Sequence, residues 1–127
     1  MKGMRKIHTF KLNEILPHIW NGAPIHNWKG IRFRVNCKRL MLFKASQTCV
    51  TCGIAGNVFI LEKGEKDNSK STNVDAHINL YHKPERGGLI LMTMDHIMPR
   101  AKGGSNDPSN LQVMCEPCNT KKADTWP

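Results

Sequence analysis

Residues 92–124 read MTMDHIMPRAKGGSNDPSNLQVMCEPCNTKKAD, and this stretch decides the fold. MTMDHI and the later LQVMC are short apolar runs of the kind that form strands. Between them, PRAKGGSNDPSN is dense in Gly, Pro, Asn and Asp and predicts a loop. CEPCNTKKAD predicts a helix. The expected order is therefore strand, loop, strand, helix, with Asp95 and His96 on the first strand and Asn119 on the helix.

The cysteines predict a metal site. Four of the five form two CxxC pairs, which are Cys49 with Cys52 and Cys115 with Cys118. A two-residue spacer lets the thiolates of a turn converge on one Zn²⁺ at about 2.3 Å, and the flanking Gly53 and Pro117 favour such turns. An odd cysteine count argues against a disulfide framework and for a reducing compartment. We therefore predict a structural zinc site that links the two ends of the 62 residues between the pairs, and an apolar packing role for Cys37.

The charge is unevenly distributed along the 127 residues. The net charge is +9; residues 1–48 carry ten Lys and Arg against one acid, Glu14, whereas residues 49–127 carry nine of each sign. We predict a basic N-terminal arm over 1–48, small and mostly helical or irregular, followed by a balanced body over 49–127. A segment of one sign attracts polyanions, which indicates a nucleic acid or an anionic membrane surface as its partner; of these, we expect the arm to contact DNA. The alternative is a solvated face that only keeps the protein soluble.

Local patterns give a coarse secondary structure. Residues 9–20 carry apolar side chains at helical spacing and predict a short amphipathic helix, and residues 21–30 predict a loop. IRFRV predicts a strand with Arg32 and Arg34 on one face, and KRLMLFKAS predicts a helical turn. NVFILEK and AHINLYH predict strands, separated by a polar stretch over 64–75 that predicts a mobile loop.

The combination of DHIMP, the loop GG, NLQ and CxxCNxxK, in this order, resembles the HNH endonuclease family over about residues 49–125. The two CxxC pairs are similar to its zinc-clamped subgroup. The resemblance implies an α+β, ββα-metal (His-Me finger) fold and hydrolysis of DNA phosphodiester bonds with one catalytic divalent metal, Mg²⁺ or Mn²⁺. It also implies that His96 faces the scissile phosphate and that Asp95 reaches the metal. Asn110 corresponds to the middle Asn that holds the His strand, and Asn119 makes this an HNN variant in which that Asn is a metal ligand.

The same chemistry can be argued from the residue types. Hydrolysis of a phosphodiester needs a base for water and a cation for the developing charge. His96, with a reference pKa near 6.5, can act as the base at neutral pH, and Asp95 and Asn119 offer the oxygen ligands that Mg²⁺ prefers. Adjacent strand residues point to opposite faces, so Asp95 and His96 can project the same way only through a local twist or bulge.

Each of these residues also has an ordinary structural interpretation. His96 alone could be a satisfied surface or core histidine, Asp95 could cap a loop, and Asn119 could be a helix N-cap. We expect phosphate contacts from six basic residues, any of which could instead be simply solvated: Arg100, Lys102, Lys121, Lys122, Arg32 and Arg34.

Two other functions stay open. One is a noncatalytic zinc-containing module that binds nucleic acid. The other is a protein-interaction module whose basic arm docks an acidic partner.

No run of about 18 apolar residues occurs, and Met1 to Phe10 lacks a signal-peptide pattern. We expect a protein without membrane contact in a reducing, cytoplasmic setting, for which a phage gene expressed in a bacterial host is one source that fits. The small size favours modest DNA specificity or a partner protein that targets the chain to its substrate.

Overall fold

The computed structural model describes residues 5–64 and 74–126. Its main feature is a five-stranded antiparallel sheet in the order β1-β4-β5-β6-β7. These strands are β1 (Arg5–Lys11), β4 (Val58–Lys63), β5 (His77–His82), β6 (Ile90–His96) and β7 (Leu111–Cys115). A separate hairpin is formed by β2 (Ile25–Trp28) and β3 (Ile31–Arg34), and the helices are α1 (Leu12–Ile15), α2 (Lys38–Ala45) and α3 (Glu116–Lys122).

The region carrying the sequence motifs folds as expected. Strand β6, a loop over 97–110, β7 and α3 follow one another directly, and β6 pairs with β7 from Met92 opposite Cys115 to His96 opposite Leu111. Short 3-10 turns at Arg100–Lys102 and Pro108–Asn110 shape the loop. The protein thus has the α+β class and the ββα unit that the sequence predicted.

Alternation along the strands separates two faces of the sheet. The buried core packs on one face, where Phe59, Leu61 and Ile78 cluster with Leu40 and Phe43 of α2. On β6 this face carries Met92, and with it the alternating positions 94 and 96. Helix α3 packs against the other face, since its side chains bond to Thr93 and Asp95.

The prediction of a helix over 9–20 is wrong for its first part. Thr9, Phe10 and Lys11 lie in β1, which pairs with β4, and the α-helix is a single turn over Leu12–Ile15 followed by a 3-10 turn over Leu16–His18. The Glu14 carboxylate accepts a hydrogen bond from the Lys11 amide at 2.8 Å, which caps the helix where the strand ends. The apolar spacing over 9–20 therefore mixes an edge strand with a short helix.

The prediction of a loop over 21–30 is also wrong, because it contains β2. The turn of the hairpin is Lys29 and Gly30, with φ of 51° and 87°, and Trp28 pairs with Ile31 across it. A two-residue turn with two positive φ values matches the twist of antiparallel strands. The turn-forming residues around β2 led to the prediction of a loop across the whole segment, including the strand.

The segment before Cys49 is built into the fold rather than extended from it. The arm was expected to be mostly helical or irregular, but β1 forms an edge of the main sheet, and Phe33 of the hairpin and Phe43 of α2 are fully buried in the common core. Cys37 packs against this core and is half-buried, as expected. The polar loop predicted over 64–75 lies mostly outside the described residues. No helix in the described part of the chain has the length and apolar character needed to cross a lipid bilayer.

Candidate active site

An open pocket of about 360 Å³ lies where β6 ends, and Asp95, His96, Arg100 and Asn119 all line it. The pairing of β6 with β7 shows no register shift, so no bulge separates Asp95 from His96. Their side chains bond on opposite sides of the strand, Asp95 to β7 and α3 and His96 to the loop. Both reach the pocket because it opens at the end of the strand. The two side chains do not project the same way, as the alternation along a strand predicts, and no bulge is required.

The Asp95 carboxylate is buried and has two polar partners. Its Oδ2 accepts a hydrogen bond from Gln112 Nε2 at 2.9 Å and lies 3.2 Å from the ammonium of Lys122. The same ammonium donates to the His96 carbonyl at 3.0 Å. Both contacts fall on Oδ2, and within the described residues Oδ1 has no donor. One carboxylate oxygen thus remains available for a cation.

The His96 ring is bonded within the loop. Its Nε2 lies 2.7 Å from Oδ1 of Asn106. The Asn106 backbone carbonyl in turn accepts a hydrogen bond from Lys38 Nζ, at the start of α2, at 2.9 Å. A chain of two contacts therefore links the N-terminal segment to the candidate base. If His96 is neutral and donates through Nε2, its lone pair is on Nδ1.

Asn110 holds the loop between β6 and β7. Its side chain accepts from the Met98 amide at 2.9 Å and donates to the carbonyls of Met98 at 3.1 Å and Ser105 at 2.8 Å. Its own carbonyl accepts from the Ile97 amide at 2.8 Å. These bonds fix the backbone immediately after His96, so Asn110 positions the site.

The GG of the loop is required by a close backbone approach. A Cβ on Gly104 would collide with the Met98 carbonyl oxygen, so no larger residue fits without movement of the backbone. Gly103 has φ of 96°, a conformation that L side chains rarely adopt. The two glycines let the loop fold back onto the strand end that carries His96.

Asn119 lies in α3 with its amide orientation fixed by Thr93. The Thr93 hydroxyl donates to the Met114 carbonyl at 2.7 Å, so its oxygen can only accept from the Asn119 Nδ2, 2.8 Å away. The Asn119 Oδ1 is then left as an acceptor, and within residues 5–64 and 74–126 no donor bonds to it. With Asp95 Oδ1, it gives the pocket two oxygen ligands suited to Mg²⁺ or Mn²⁺.

The predicted phosphate contacts occupy different places. Arg100 lines the pocket itself, whereas Lys121 lines a separate depression beside the cysteines and Lys102 is exposed. Lys122 contacts Asp95, a contact that the sequence did not predict. Arg34 is exposed and donates to the Asn36 side chain at 3.2 Å.

Arg32 is engaged with a carboxylate. Its Nε and Nη2 contact the two oxygens of Asp75 at 3.0 and 3.1 Å. Hydrogen bonds from the Arg32 side chain and backbone lower the pKa of the Asp75 carboxyl to about 2. A phosphate contact from Arg32 would compete with this pair.

The four paired cysteines converge as predicted. The sulfurs of Cys49, Cys52, Cys115 and Cys118 all lie within 4.8 Å of one another. Cys52 Sγ and Cys115 Sγ are 3.7 Å apart, too far for a disulfide and close to the roughly 3.8 Å edge of a tetrahedron with 2.3 Å zinc–sulfur bonds. The Val50 amide donates to the Val113 carbonyl at 3.0 Å and ties the first turn to β7. The geometry and the all-sulfur donor set fit Zn²⁺.

The thiols of the cluster differ in pKa. Burial raises the pKa of Cys49, but hydrogen bonds from the backbone amides of Cys52, Cys115 and Thr51 outweigh it and lower that pKa to about 6. Hydrogen bonding with the Cys115 side chain, followed by burial, raises the pKa of Cys118 to about 12. One thiolate forms readily, while a cluster of thiolates needs a positive ion to offset its mutual repulsion.

Comparison with known families identifies a match to part of the chain. Residues 82–125 match the family model described as HNH endonuclease. Over these residues the chain is similar to the HNH endonuclease family. The matched segment contains β6, the loop, β7 and α3, together with the pocket of Asp95, His96 and Asn119 and the second cysteine pair. No curated protein and no solved structure matched the chain. The four-cysteine cluster is consistent with a zinc-binding variant of that family, and the match supports a nuclease-type function in general.

Sequence reasoning did not identify Asn106 or Lys38 as site residues. Asn106 is one of several turn-forming residues in the loop, and Lys38 is 68 positions away from it in sequence. Neither belongs to a recognisable motif, so only the fold brings them together. Thr93 also carried no signal, because a threonine in a strand is ordinary.

Proposed function

We propose that this protein is a metal-dependent HNH endonuclease that hydrolyses DNA phosphodiester bonds. The observation that supports it best is that a histidine, a buried carboxylate and an oriented asparagine share one open pocket within the HNH match. A base and two oxygen ligands are what phosphodiester hydrolysis with a divalent ion requires.

His96 acts as the general base. With Nε2–H bonded to Asn106, its Nδ1 accepts a proton from a water molecule as the water oxygen forms a bond to phosphorus. The phosphorus–oxygen bond to the leaving group then breaks, and the leaving oxygen takes its proton from solvent. A Mg²⁺ or Mn²⁺ ion held by the oxygens of Asp95 and Asn119 would stabilise the negative charge on that leaving oxygen.

Other residues position this machinery. Asn110 fixes the backbone after His96, and Lys122 joins α3 to the end of β6 through Asp95 Oδ2 and the His96 carbonyl. Arg100, which lines the pocket, would bind a phosphate of the substrate. Lys102, Lys121, Arg32 and Arg34 are proposed as weaker contacts along the DNA.

Zn²⁺ bound by the four cysteines would be structural. The cluster joins the turn at Cys49 to the junction of β7 and α3, and α3 carries Asn119. Closing this link holds the helix against the strand that bears His96 and Asp95.

The test is cleavage of supercoiled plasmid by purified, zinc-loaded protein with Mg²⁺, with Mn²⁺, with neither and with excess EDTA. We expect nicked or linear products only when a divalent ion is added. Binding of DNA without cleavage under every condition would favour the noncatalytic zinc module instead.

A further inference from the structure

A second cavity lies beside the active-site pocket, on the side of the N-terminal segment. Its volume is about 460 Å³, and its lining includes Arg34, Lys38 and Arg39 together with the apolar Val74, Ile78 and Met94. We call it the basic pocket. Met94 lines both this cavity and the active-site pocket, so the two adjoin at this side chain.

The basic pocket and His96 lie on the same face of β6. Met94 and His96 are two residues apart on the strand and project the same way. Lys38, in the wall of the basic pocket, also donates to the carbonyl of Asn106, whose side chain contacts His96. A strand of nucleic acid with its scissile phosphate at His96 would therefore pass over Met94 into this cavity.

Among the described residues, no acidic side chain neutralises the positive charge of the basic pocket. Within residues 5–64 and 74–126, no carboxylate forms an ion pair with Arg34, Lys38 or Arg39. The described partners of Arg39 are the Ile78 carbonyl, at 3.2 Å from Nη2, and the Phe43 ring, 5.7 Å from its guanidinium carbon. Burial lowers the pKa of Arg39, which shows the cost of holding its charge there. Arg32 differs, because Asp75 already pairs with it.

We propose that the basic pocket binds one nucleotide of the DNA strand next to the scissile bond. Arg34, Lys38 and Arg39 hold its phosphate, and the apolar side chains of Ile78 and Met94 pack against its deoxyribose. A cavity lined by both cationic and apolar side chains matches these two parts of a nucleotide. This assignment rests on the proposed action on DNA, and it gives part of the basic N-terminal segment a defined role as a subsite.

The first test is equilibrium binding of a short fluorescent DNA duplex, without added Mg²⁺ or Mn²⁺ so that no cleavage occurs. Arg34→Gln and Arg39→Lys are compared with Arg86→Gln and Lys83→Gln, which alter exposed basic residues outside both pockets. We expect Arg34→Gln to weaken binding roughly tenfold, as loss of a charge-assisted hydrogen bond does, and to reduce the slope of log affinity against log salt by about one. Arg39→Lys keeps the charge and should also weaken binding, while both controls bind as the wild type does.

A second measurement locates the contact along the DNA. Single phosphates of the duplex are replaced in turn by neutral methylphosphonates, and each duplex is bound to the wild type and to Arg34→Gln. At one flanking phosphate, the losses of binding free energy caused by the methylphosphonate and by Arg34→Gln should not add, because both changes remove the same contact. Additive losses at every phosphate would overturn the proposal, as would pocket variants that bind like the controls.

Failure of the subsite proposal can be distinguished from failure of the nuclease proposal. Wild-type protein that binds DNA through the basic pocket but never cleaves it would overturn the hydrolysis claim and leave the subsite standing. If the wild type cleaves DNA but Arg34→Gln binds DNA as tightly as the wild type does, the subsite proposal would be overturned and the hydrolysis claim would stand. Absence of any DNA binding by the wild type would overturn both.

Discussion

His96 Nε2 and Asn106 Oδ1 lie 2.7 Å apart in the loop that follows β6. This contact gives the candidate base a side-chain partner that favours the tautomer with a free Nδ1. The Asn106 backbone is itself held by Lys38. The orientation of the base therefore depends on the N-terminal segment as well as on the HNH motif.

Replacement of Asn106 tests this relationship. We expect Asn106→Ala to lower the cleavage rate about tenfold or more, because the His96 ring loses its fixed orientation. Asn106→Asp keeps an acceptor oxygen in place and should recover most of that loss. Nitrogen NMR of the imidazole should show the proton on Nε2 in the wild type; a proton on Nδ1, or equal rates for the Ala and Asp variants, would contradict the assignment.

The cysteine cluster predicts a specific metal content. Wild-type protein purified without chelator should contain about one Zn per chain by elemental analysis. Cys49→Ser should lose the metal and unfold at a lower temperature, because the ligand joins two separate parts of the chain. Cys37→Ser is the matched control, since its thiol lies outside the cluster, and it should keep its zinc. Full zinc occupancy in Cys49→Ser would argue against a four-thiolate site.

Gly104 gives a test of the loop. Gly104→Ala should lower the free energy of unfolding by about 1–3 kcal/mol, since its Cβ would collide with the Met98 carbonyl. Cleavage should fall as well, because the same loop carries Asn106. Gly88→Ala serves as the control: its Cβ would meet no atom within 4 Å, so urea denaturation should change by less than about 0.5 kcal/mol. Equal denaturation midpoints for the two variants would show that the loop tolerates a side chain at position 104.

Lys122 is expected to stabilise the junction of α3 and β6. Lys122→Ala leaves the Asp95 carboxylate, whose side chain is only 8% exposed, without its cation and the His96 carbonyl without its donor. We expect a loss of about 1–3 kcal/mol in chemical denaturation. Lys121→Ala removes the same charge one position earlier, away from Asp95, and should be nearly neutral. Equal stability of the two variants would show that the Lys122 contacts do not contribute to the free energy of unfolding.

The sequence predicted the ββα unit well because each part of it carries a local signal. Apolar runs, a loop rich in Gly and Pro, and the CxxCN turn into α3 all agree with the final fold, and DHIMP and NLQ locate Asp95, His96 and Asn110. The two cysteine pairs had the spacing of a metal site, so their convergence could be expected from residue types alone.

The N-terminal half was predicted less well because its structure depends on distant partners. Phe10 lies in a strand only because β4 pairs with β1, and Ile25 begins a strand whose turn looks like an extended loop. Lys38 and Asn106 meet across 68 residues. Contacts between residues so far apart in sequence are determined by tertiary packing, and a local sequence pattern cannot predict them.

The central claim is that His96 activates water for DNA hydrolysis, and single-turnover nicking of supercoiled plasmid in Mg²⁺ tests it most directly. Wild type and His96→Ala are compared after both are shown to hold about one Zn and to bind DNA with the same affinity. We predict that His96→Ala nicks at least about a hundredfold more slowly, the loss expected when a general base is removed. Equal nicking rates for the two proteins, or no nicking by the zinc-loaded wild type, would contradict the account.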